Sequence, residues 1–85
     1  MNKEHFAFPA VFNEADDGIS IEFPDLPGCL SCADNWRQAL KNAKSVLKLY
    51  LIGLMNDDEE IPKPSTFDNV EHAKEDYVVL IEVTL

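Results

Sequence analysis

The sequence has few basic residues, few cysteines and no long apolar run. Its 85 residues carry 16 acidic side chains against 7 basic ones, a formal net charge of −9. Proteins that bind nucleic acid on their own need lysine and arginine to neutralise phosphates, so this balance argues against that class. Opposite charges steer association, so it favours a cationic protein partner. The plain alternative is that the charge serves only solubility.

The sequence also lacks the segments that would insert a protein into a membrane or direct it to secretion. No apolar run approaches the roughly 18 residues of a membrane span, and the N-terminal MNKEHFAF lacks the apolar core of a secretory signal. Two cysteines are too few for the disulfide framework of a small secreted domain. We therefore predict a cytoplasmic protein with no membrane contact.

The length predicts a single domain over residues 1–85. A composition that is 46% hydrophobic favours a folded chain. A chain this short hides only roughly two thirds of the surface that its unfolded form exposes, so its core is marginal. We expect self-association or a partner to add stability.

Alternating apolar residues predict a β-hairpin near the N-terminus. In the first strand, one face carries Phe6, Phe8, Ala10 and Phe12. A polar turn, NEADDG, precedes a second strand in which Ile19, Ile21 and Phe23 alternate with polar residues. The prolines and glycine of PDLPG then break the chain direction, and residues 29–33 fit a short third strand.

A long helix follows, with Asp34 as its predicted N-cap. Apolar residues recur there at three- and four-residue steps: Trp36, Leu40, Ala43, Leu47, Tyr50, Leu51 and Leu54. The helix is expected to end at Gly53 and the polar NDDEE. IPKPS is typical of an extended connection, and the apolar residues 77–85 predict a strand covered on both faces.

The element order is therefore β-β-β-α-β in the α+β class. We expect a small mixed sheet with one main helix on one face. Because a helix connects the third and last strands, the last strand is predicted to run parallel to the first or third.

Cys29 and Cys32 are the candidate residues for redox or metal chemistry. A redox CxxC needs its first cysteine at a helix N-terminus, but here the helix opens after both cysteines. Residues three apart on a strand point to opposite faces, and the only other soft zinc ligands are two histidines without zinc-site spacing. We interpret the pair as structural, and we predict no metal and no cofactor.

A metal-dependent nuclease is the enzymatic alternative. It would need carboxylates that converge on two cations, and Glu22, Asp25 and Asp34 are the candidates. Glu22 is expected on the solvent side of its strand, and Asp25 and Asp34 are accounted for by roles in a turn and in a helix cap. We therefore predict no catalytic residues.

The combination of motifs closely resembles the HicB-like antitoxin family over roughly residues 6 to 65. The matching pieces are FPAVF, a polar turn that closes on Gly18, a strand that ends in FPDLPGC, a helix that contains ALKNA, and IPKPS. The final YVVLIEVTL matches the closing strand of the family. The resemblance implies a partial ribonuclease-H-like sheet with one main helix.

The resemblance also implies a function. Family members bind a small, basic, mRNA-cleaving toxin of the HicA type and block its active surface. Many also carry a C-terminal DNA-binding domain, but here the sequence stops at Leu85. We expect an antitoxin that is not an enzyme and does not itself bind DNA. The remaining alternative is an oligomeric scaffold without a toxin.

Two sets of residues are predicted to contact other chains. Acidic side chains without an evident structural role are assigned to the toxin: Glu14, Asp16, Asp17, Glu22, Asp57, Asp58, Glu59 and Glu60. A homodimer or homotetramer is expected to use the last strand and the outer side of the helix: Leu49, Ile52, Val79, Ile81 and Val83.

Overall fold

The computed structural model describes the backbone of residues 4–85 and the side chains of residues 4–66 and 68–85. Its strands are β1 His5–Ala15, β2 Gly18–Glu22, β3 Leu30–Ala33 and β4 Tyr77–Thr84. The helix α1 spans Trp36–Asn56, and a short 3-10 turn, Phe67–Asn69, precedes β4. The predicted order and the α+β class are confirmed.

The strands form one sheet in the order β3-β2-β1-β4. Between β1 and β2, Ala15 pairs with Gly18, so the turn consists of Asp16 and Asp17 alone. Gly18 has a φ of 142°, and a Cβ atom on it would lie 2.8 Å from the carbonyl oxygen of Ala33 in β3. Glycine is therefore required for the third strand to approach the hairpin.

The last strand lies beside β1 and runs antiparallel to it, from the pair Phe12–Tyr77 to the pair His5–Thr84. The prediction of a parallel last strand in a mixed sheet is therefore wrong. Ser65 donates hydrogen bonds to Asp25 beyond the end of β2. Asp76 accepts a hydrogen bond from Asn13 near the turn of the hairpin. Residues 65–76 thus run back along the sheet, and this second return reverses the direction of β4.

The main core lies between α1 and one face of the sheet. The buried sheet residues on this side are Phe8, Ala10, Phe12, Ile19, Ile21, Ile81 and Val83, and the helix contributes Ala39, Ala43, Leu47 and Leu51. The two alanines allow the helix backbone to approach the strands closely. Leu40 was predicted on the buried face of the helix, but it lies outside the row of buried helix residues and is 42% exposed.

The opposite face of the sheet is also partly covered. Pro9 alternates with the core residues of β1, so it faces away from α1, yet it is fully buried. Val70 is buried as well but lies outside the helix-side cluster. We infer that residues 65–76 cover Pro9 as they cross from one end of the sheet to the other.

The FPDLPGC corner is folded into the core. Phe23, Leu26 and Cys29 are each about 1% exposed. The backbone amide of Leu26 donates to the Phe23 carbonyl at 3.0 Å, and that of Cys29 donates to the Leu26 carbonyl at 2.9 Å. The Tyr50 hydroxyl of α1 donates to the Pro27 carbonyl at 2.8 Å, which fixes the corner against the helix.

The N-cap of α1 is Asn35, one residue after the predicted Asp34. The Asn35 side-chain oxygen accepts from the backbone amide of Gln38 at 2.9 Å. The Gln38 side chain reaches back to the Asp34 amide at 3.4 Å. The pair resembles a capping box moved by one residue, and it satisfies amides that a helix leaves free.

The C-terminal end of α1 closes with a Schellman motif. Asp58 has a φ of 55°, the Glu59 amide donates to the Leu54 carbonyl at 2.8 Å, and the Asp58 amide donates to the Met55 carbonyl at 3.1 Å. Glycine is the usual residue at the left-handed position, so an aspartate there is strained. Within residues 4–85, no helix combines the length and apolarity needed to cross a membrane.

Candidate functional site

The predicted toxin-binding acids lie at the two ends of the molecule. Glu14, Asp16 and Asp17 lie at the β1–β2 turn, near the N-terminal end of α1. The other large group, residues 57–60, follows the C-terminal end of the same 21-residue helix and is here called the helix-end acids. All seven side chains are exposed. A helix of this length spans about 30 Å, so the two groups of acids are well separated.

Glu14 has a structural role that sequence reasoning missed. Its Oε2 accepts a hydrogen bond from Trp36 Nε1 at 3.0 Å. The Trp36 ring packs 5.4 Å from the Phe12 ring and 5.2 Å from the Tyr77 ring, the latter edge-on. Glu14 therefore helps to orient the first residue of α1 over the sheet. The two residues are 22 positions apart in the sequence, so no local sequence pattern predicts their contact.

Asp16 and Asp17, here called the acidic turn, stand beside an open cleft of about 650 Å³. Asp17 lines the cleft from the hairpin, Asp34 lines it from the end of β3, and Gln38 and Asn42 line it from α1. Asn42 Nδ2 donates to the Cys32 carbonyl at 2.9 Å, which ties the helix to β3. The cleft thus combines two carboxylates with amide side chains, a polar surface suited to basic groups.

Sequence reasoning found only part of this cleft. The charge of Asp17 predicts a role in toxin binding. The sequence pattern assigns Asp34 to the helix cap instead, and it predicts no role for Gln38 or Asn42. Their convergence depends on β3 bringing Ala33 next to Ile19. The one available signal was the position of Asp34 between a strand and a helix, and it predicted a cap rather than a cleft.

The carboxylates of the nuclease alternative do not converge. Glu22 is exposed at the end of β2 that lies far from the hairpin turn, and Asp25 is hydrogen-bonded to Ser65. Asp34 lies at the opposite end of the sheet, beside the hairpin turn. Among the side chains that the structure describes, no three histidine, cysteine, aspartate or glutamate residues lie together as a metal site would require. The arrangement therefore gives the nuclease alternative no support.

The two cysteines lie in different environments. Both are free thiols; Cys29 is buried in the core and Cys32 is exposed on β3. Burial raises the pKa of the Cys29 thiol from 9.0 to about 11. A thiol in this state is a poor nucleophile and a poor metal ligand, which agrees with a structural role for Cys29.

The residues predicted for self-association fall into two groups. Leu49 and Ile52 lie on the outer side of α1 and are 71% and 37% exposed. In contrast, Ile81 and Val83 are buried, and Val79 is packed against the same core. The side chains of these three β4 residues stabilise the single chain, so their assignment to a contact surface needs correction. The error arose because the helix covers one face of β4.

The fold agrees with that of a solved toxin–antitoxin protein. A chain of the toxin–antitoxin complex from Streptococcus pneumoniae superposes with a TM-score of 0.81, over 93% of this chain and 69% of that one. The two sequences are 17% identical, so this likeness defines the class of fold alone.

The sequence places the chain within that class. Residues 8–85 match the family model described as HicB_like antitoxin of bacterial toxin-antitoxin system, so the chain belongs to the HicB-like antitoxin family. Antitoxin HicB 2 of Photorhabdus laumondii is 32% identical over 63 residues, or 74% of this chain. An uncharacterized 14.9 kDa protein of Haemophilus phage HP1 is 32% identical over 81 residues, or 92% of this chain. The chain spans 45% and 61% of the lengths of these two relatives.

Proposed function

We propose that this chain is a cytoplasmic, non-enzymatic antitoxin that binds and neutralises a small, basic toxin of the HicA type. Its family membership and the relative named Antitoxin HicB 2 support the antitoxin role. The likeness to a chain of a toxin–antitoxin complex supports a protein partner. A net charge of −9 suits a cationic protein, because complementary potentials speed encounter.

The acidic turn and its cleft are the proposed toxin-binding surface. The observation that carries this assignment is the placement of Asp17 and Asp34 in one open cleft, with Asp16 exposed beside it. Among the hydrogen bonds between described side chains, none involves the carboxylate of Asp16, Asp17 or Asp34. Their oxygens are therefore free to accept from lysine and arginine.

The chemistry of the toxin explains why carboxylates would block it. A protein that cleaves mRNA must bind phosphates, and it does so with basic side chains. Carboxylates presented on a rigid turn can occupy the same basic groups with charge-assisted hydrogen bonds. Antitoxin binding would then compete with RNA binding. Glu22 and the helix-end acids lie away from this surface and are not needed for it.

The first test is co-expression with the product of the neighbouring short, basic reading frame. Rescue of growth and a complex that survives purification would support the proposal. Toxicity without rescue, or no complex, would reject it and leave the scaffold alternative.

The second test measures association kinetics at low and high salt. We expect the pair Asp16→Lys and Asp17→Lys to slow association at least about tenfold at low salt, with a smaller effect on dissociation. The matched control is Asp57→Lys with Glu59→Lys, which changes the net charge equally at two exposed positions beyond the other end of α1. Equal slowing by both pairs would mean that only the total charge matters and that the acidic turn is not the surface.

A further inference from the structure

Two aromatic rings and a carboxylate lie together at the start of α1: Trp36, Tyr77 and Glu14, here called the aromatic corner. Phe12 pairs with Tyr77 across β1 and β4, so both of these rings approach Trp36 from the sheet. Their centroids lie 5.4 and 5.2 Å from that of Trp36. Phe12 is fully buried, but Trp36 is only half-buried. We infer that the indole rests on the sheet with one face and turns the other face to solvent.

Tyr77 enlarges the aromatic surface that a partner would meet. Its side chain is 52% exposed, and its ring stands at 88° to that of Trp36. Such edge-to-face pairs hold both rings in place, so a partner would not have to order them on binding. Tryptophan and tyrosine on a rigid surface are the residues that most often carry the binding energy of a protein interface.

Glu14 adds a negative charge at the edge of the indole ring. Its Oε2 accepts from Trp36 Nε1 at 3.0 Å. Among the hydrogen bonds between described side chains, this is the only one that Glu14 makes. A carboxylate has room for about four hydrogen bonds, so Oε1 is open to a donor from outside the chain. The bond to Trp36 also fixes the position of the charge.

The surroundings of the corner are acidic. Asp34 is exposed two residues before Trp36, and Asp76 directly precedes Tyr77 and is held there by hydrogen bonds to both of its oxygens. The one neighbouring basic residue, Arg37, is turned by 100° around the helix from Trp36. The side-chain cap of α1 and these carboxylates offset the partial positive charge of the helix end. The corner therefore favours a cationic ligand.

We propose that the aromatic corner binds an arginine side chain of a basic protein partner. The guanidinium would stack on the solvent-facing side of Trp36 and donate hydrogen bonds to Glu14. A guanidinium is planar, weakly hydrated and able to pair with a carboxylate while it stacks on an aromatic ring. The ammonium of lysine is compact and strongly hydrated, so it would gain less from the ring. The inference rests on the proposed function only for the identity of the partner as the toxin.

The corner is continuous with the acidic turn. Glu14 precedes Asp16 by two residues, which on a strand corresponds to about 7 Å. One partner can therefore contact both. Exposed charges such as those of the turn act mainly on the rate of encounter, whereas a stacked and hydrogen-bonded side chain acts mainly on the lifetime of the complex. The two parts of the surface thus have separable effects.

Other ligands fit the corner less well. A nucleic-acid base could stack on Trp36, but its phosphates would meet the surrounding carboxylates. An acidic peptide would be repelled by the same groups. A purely apolar segment could cover the rings but would leave the charge of Glu14 without a partner, which is costly once water is removed.

Kinetics with the toxin distinguish the corner from the acidic turn. We expect Trp36→Leu to speed dissociation of the complex at least about tenfold and to change association little. Trp36→Tyr keeps an aromatic face and should restore most of the lifetime, and circular dichroism verifies that both variants fold. Leu49→Ala is the matched control, since Leu49 is a 71% exposed apolar residue farther along α1. A Trp36→Leu complex as long-lived as the wild-type complex would overturn the inference and leave the proposed function intact.

A second measurement needs no toxin. Trp36 is the only tryptophan, so its fluorescence reports directly on a ligand at the corner. The full chain is titrated with a blocked tetra-arginine peptide and with the matching tetra-lysine peptide. We expect a saturable change in emission and an affinity for the arginine peptide at least about threefold higher than for the lysine peptide. Glu14→Gln keeps an acceptor for Trp36 Nε1 but removes the charge, so it should weaken binding of the arginine peptide.

The two peptides also separate this inference from the proposed function. Preferential binding of the arginine peptide without any toxin complex would support the aromatic corner and reject the proposed function. Equal affinities for the two peptides, or no change in the emission of Trp36, would mean that the chain offers charge alone and would overturn the inference.

Discussion

Asp25 accepts two hydrogen bonds from Ser65, one from the backbone amide at 2.7 Å and one from the hydroxyl at 2.6 Å. The two residues are 40 positions apart. They belong to the two proline-containing motifs, FPDLPGC and IPKPS, that carry much of the family resemblance. The contact joins the two motifs in space: the corner after β2 anchors the chain where it starts its return along the sheet.

Replacing Asp25 with alanine should therefore destabilise the fold. The substitution leaves the amide and the hydroxyl of Ser65 without their acceptor in a half-buried site. Hydrogen bonds to charged groups contribute about 1.5–3 kcal/mol, so we expect the free energy of unfolding to fall by about 2 kcal/mol. Urea unfolding followed by tryptophan fluorescence measures this, since Trp36 is the only tryptophan.

Ser65→Ala provides the other arm of a double-mutant cycle. It removes the hydroxyl but keeps the amide bond, so it should cost about 1 kcal/mol, and the double variant should cost clearly less than the sum. Asp68→Ala, an exposed acid on the same segment, is the matched control. Strict additivity would mean that the two residues act independently.

The two thiols should differ in reactivity and in their effect on stability. Because the pKa of Cys29 is raised to about 11, iodoacetamide at pH 8 should modify Cys32 alone in the folded protein and both cysteines in urea. Mass spectrometry of the intact chain distinguishes one adduct from two. Two rapid additions under native conditions would contradict the burial of Cys29.

The same pKa predicts a loss of stability in alkali. The folded state holds the Cys29 proton more tightly than the unfolded state, whose pKa is near 9.0. Stability is therefore unaffected by this group below pH 9 and declines between about pH 9 and 11, by on the order of 2 kcal/mol. Cys29→Ala removes this contribution, so its unfolding free energy should fall less steeply than that of the wild-type chain over the same range.

Sequence reasoning recovered the elements of the fold because each depends on local pattern. Period-two alternation located the hairpin, and three- and four-residue spacing located α1. The direction of β4 was missed, because it depends on where residues 65–76 travel, and that path is set by contacts such as Asp76 with Asn13. Leu40 was misplaced because the small side chains of Ala39 and Ala43 let that side of the helix approach the sheet.

The candidate site was predicted in part for a similar reason. Net charge and polar turns pointed to Asp16 and Asp17, which are exposed. The structural role of Glu14 depends on Trp36, and the cleft position of Asp34 depends on strand pairing. Charge alone marks a residue as acidic; only the fold shows whether its carboxylate already has a partner.

Asp58→Gly should stabilise the protein. The substitution relieves a left-handed backbone conformation and removes a negative charge from the C-terminal end of α1. We expect a gain of about 1 kcal/mol, or a rise in melting temperature of roughly 4–8 °C for a chain of this size. Asp58→Asn removes the charge but keeps the Cβ atom, so it should gain less. Both are compared at concentrations where the chain is monomeric, so that self-association does not contribute.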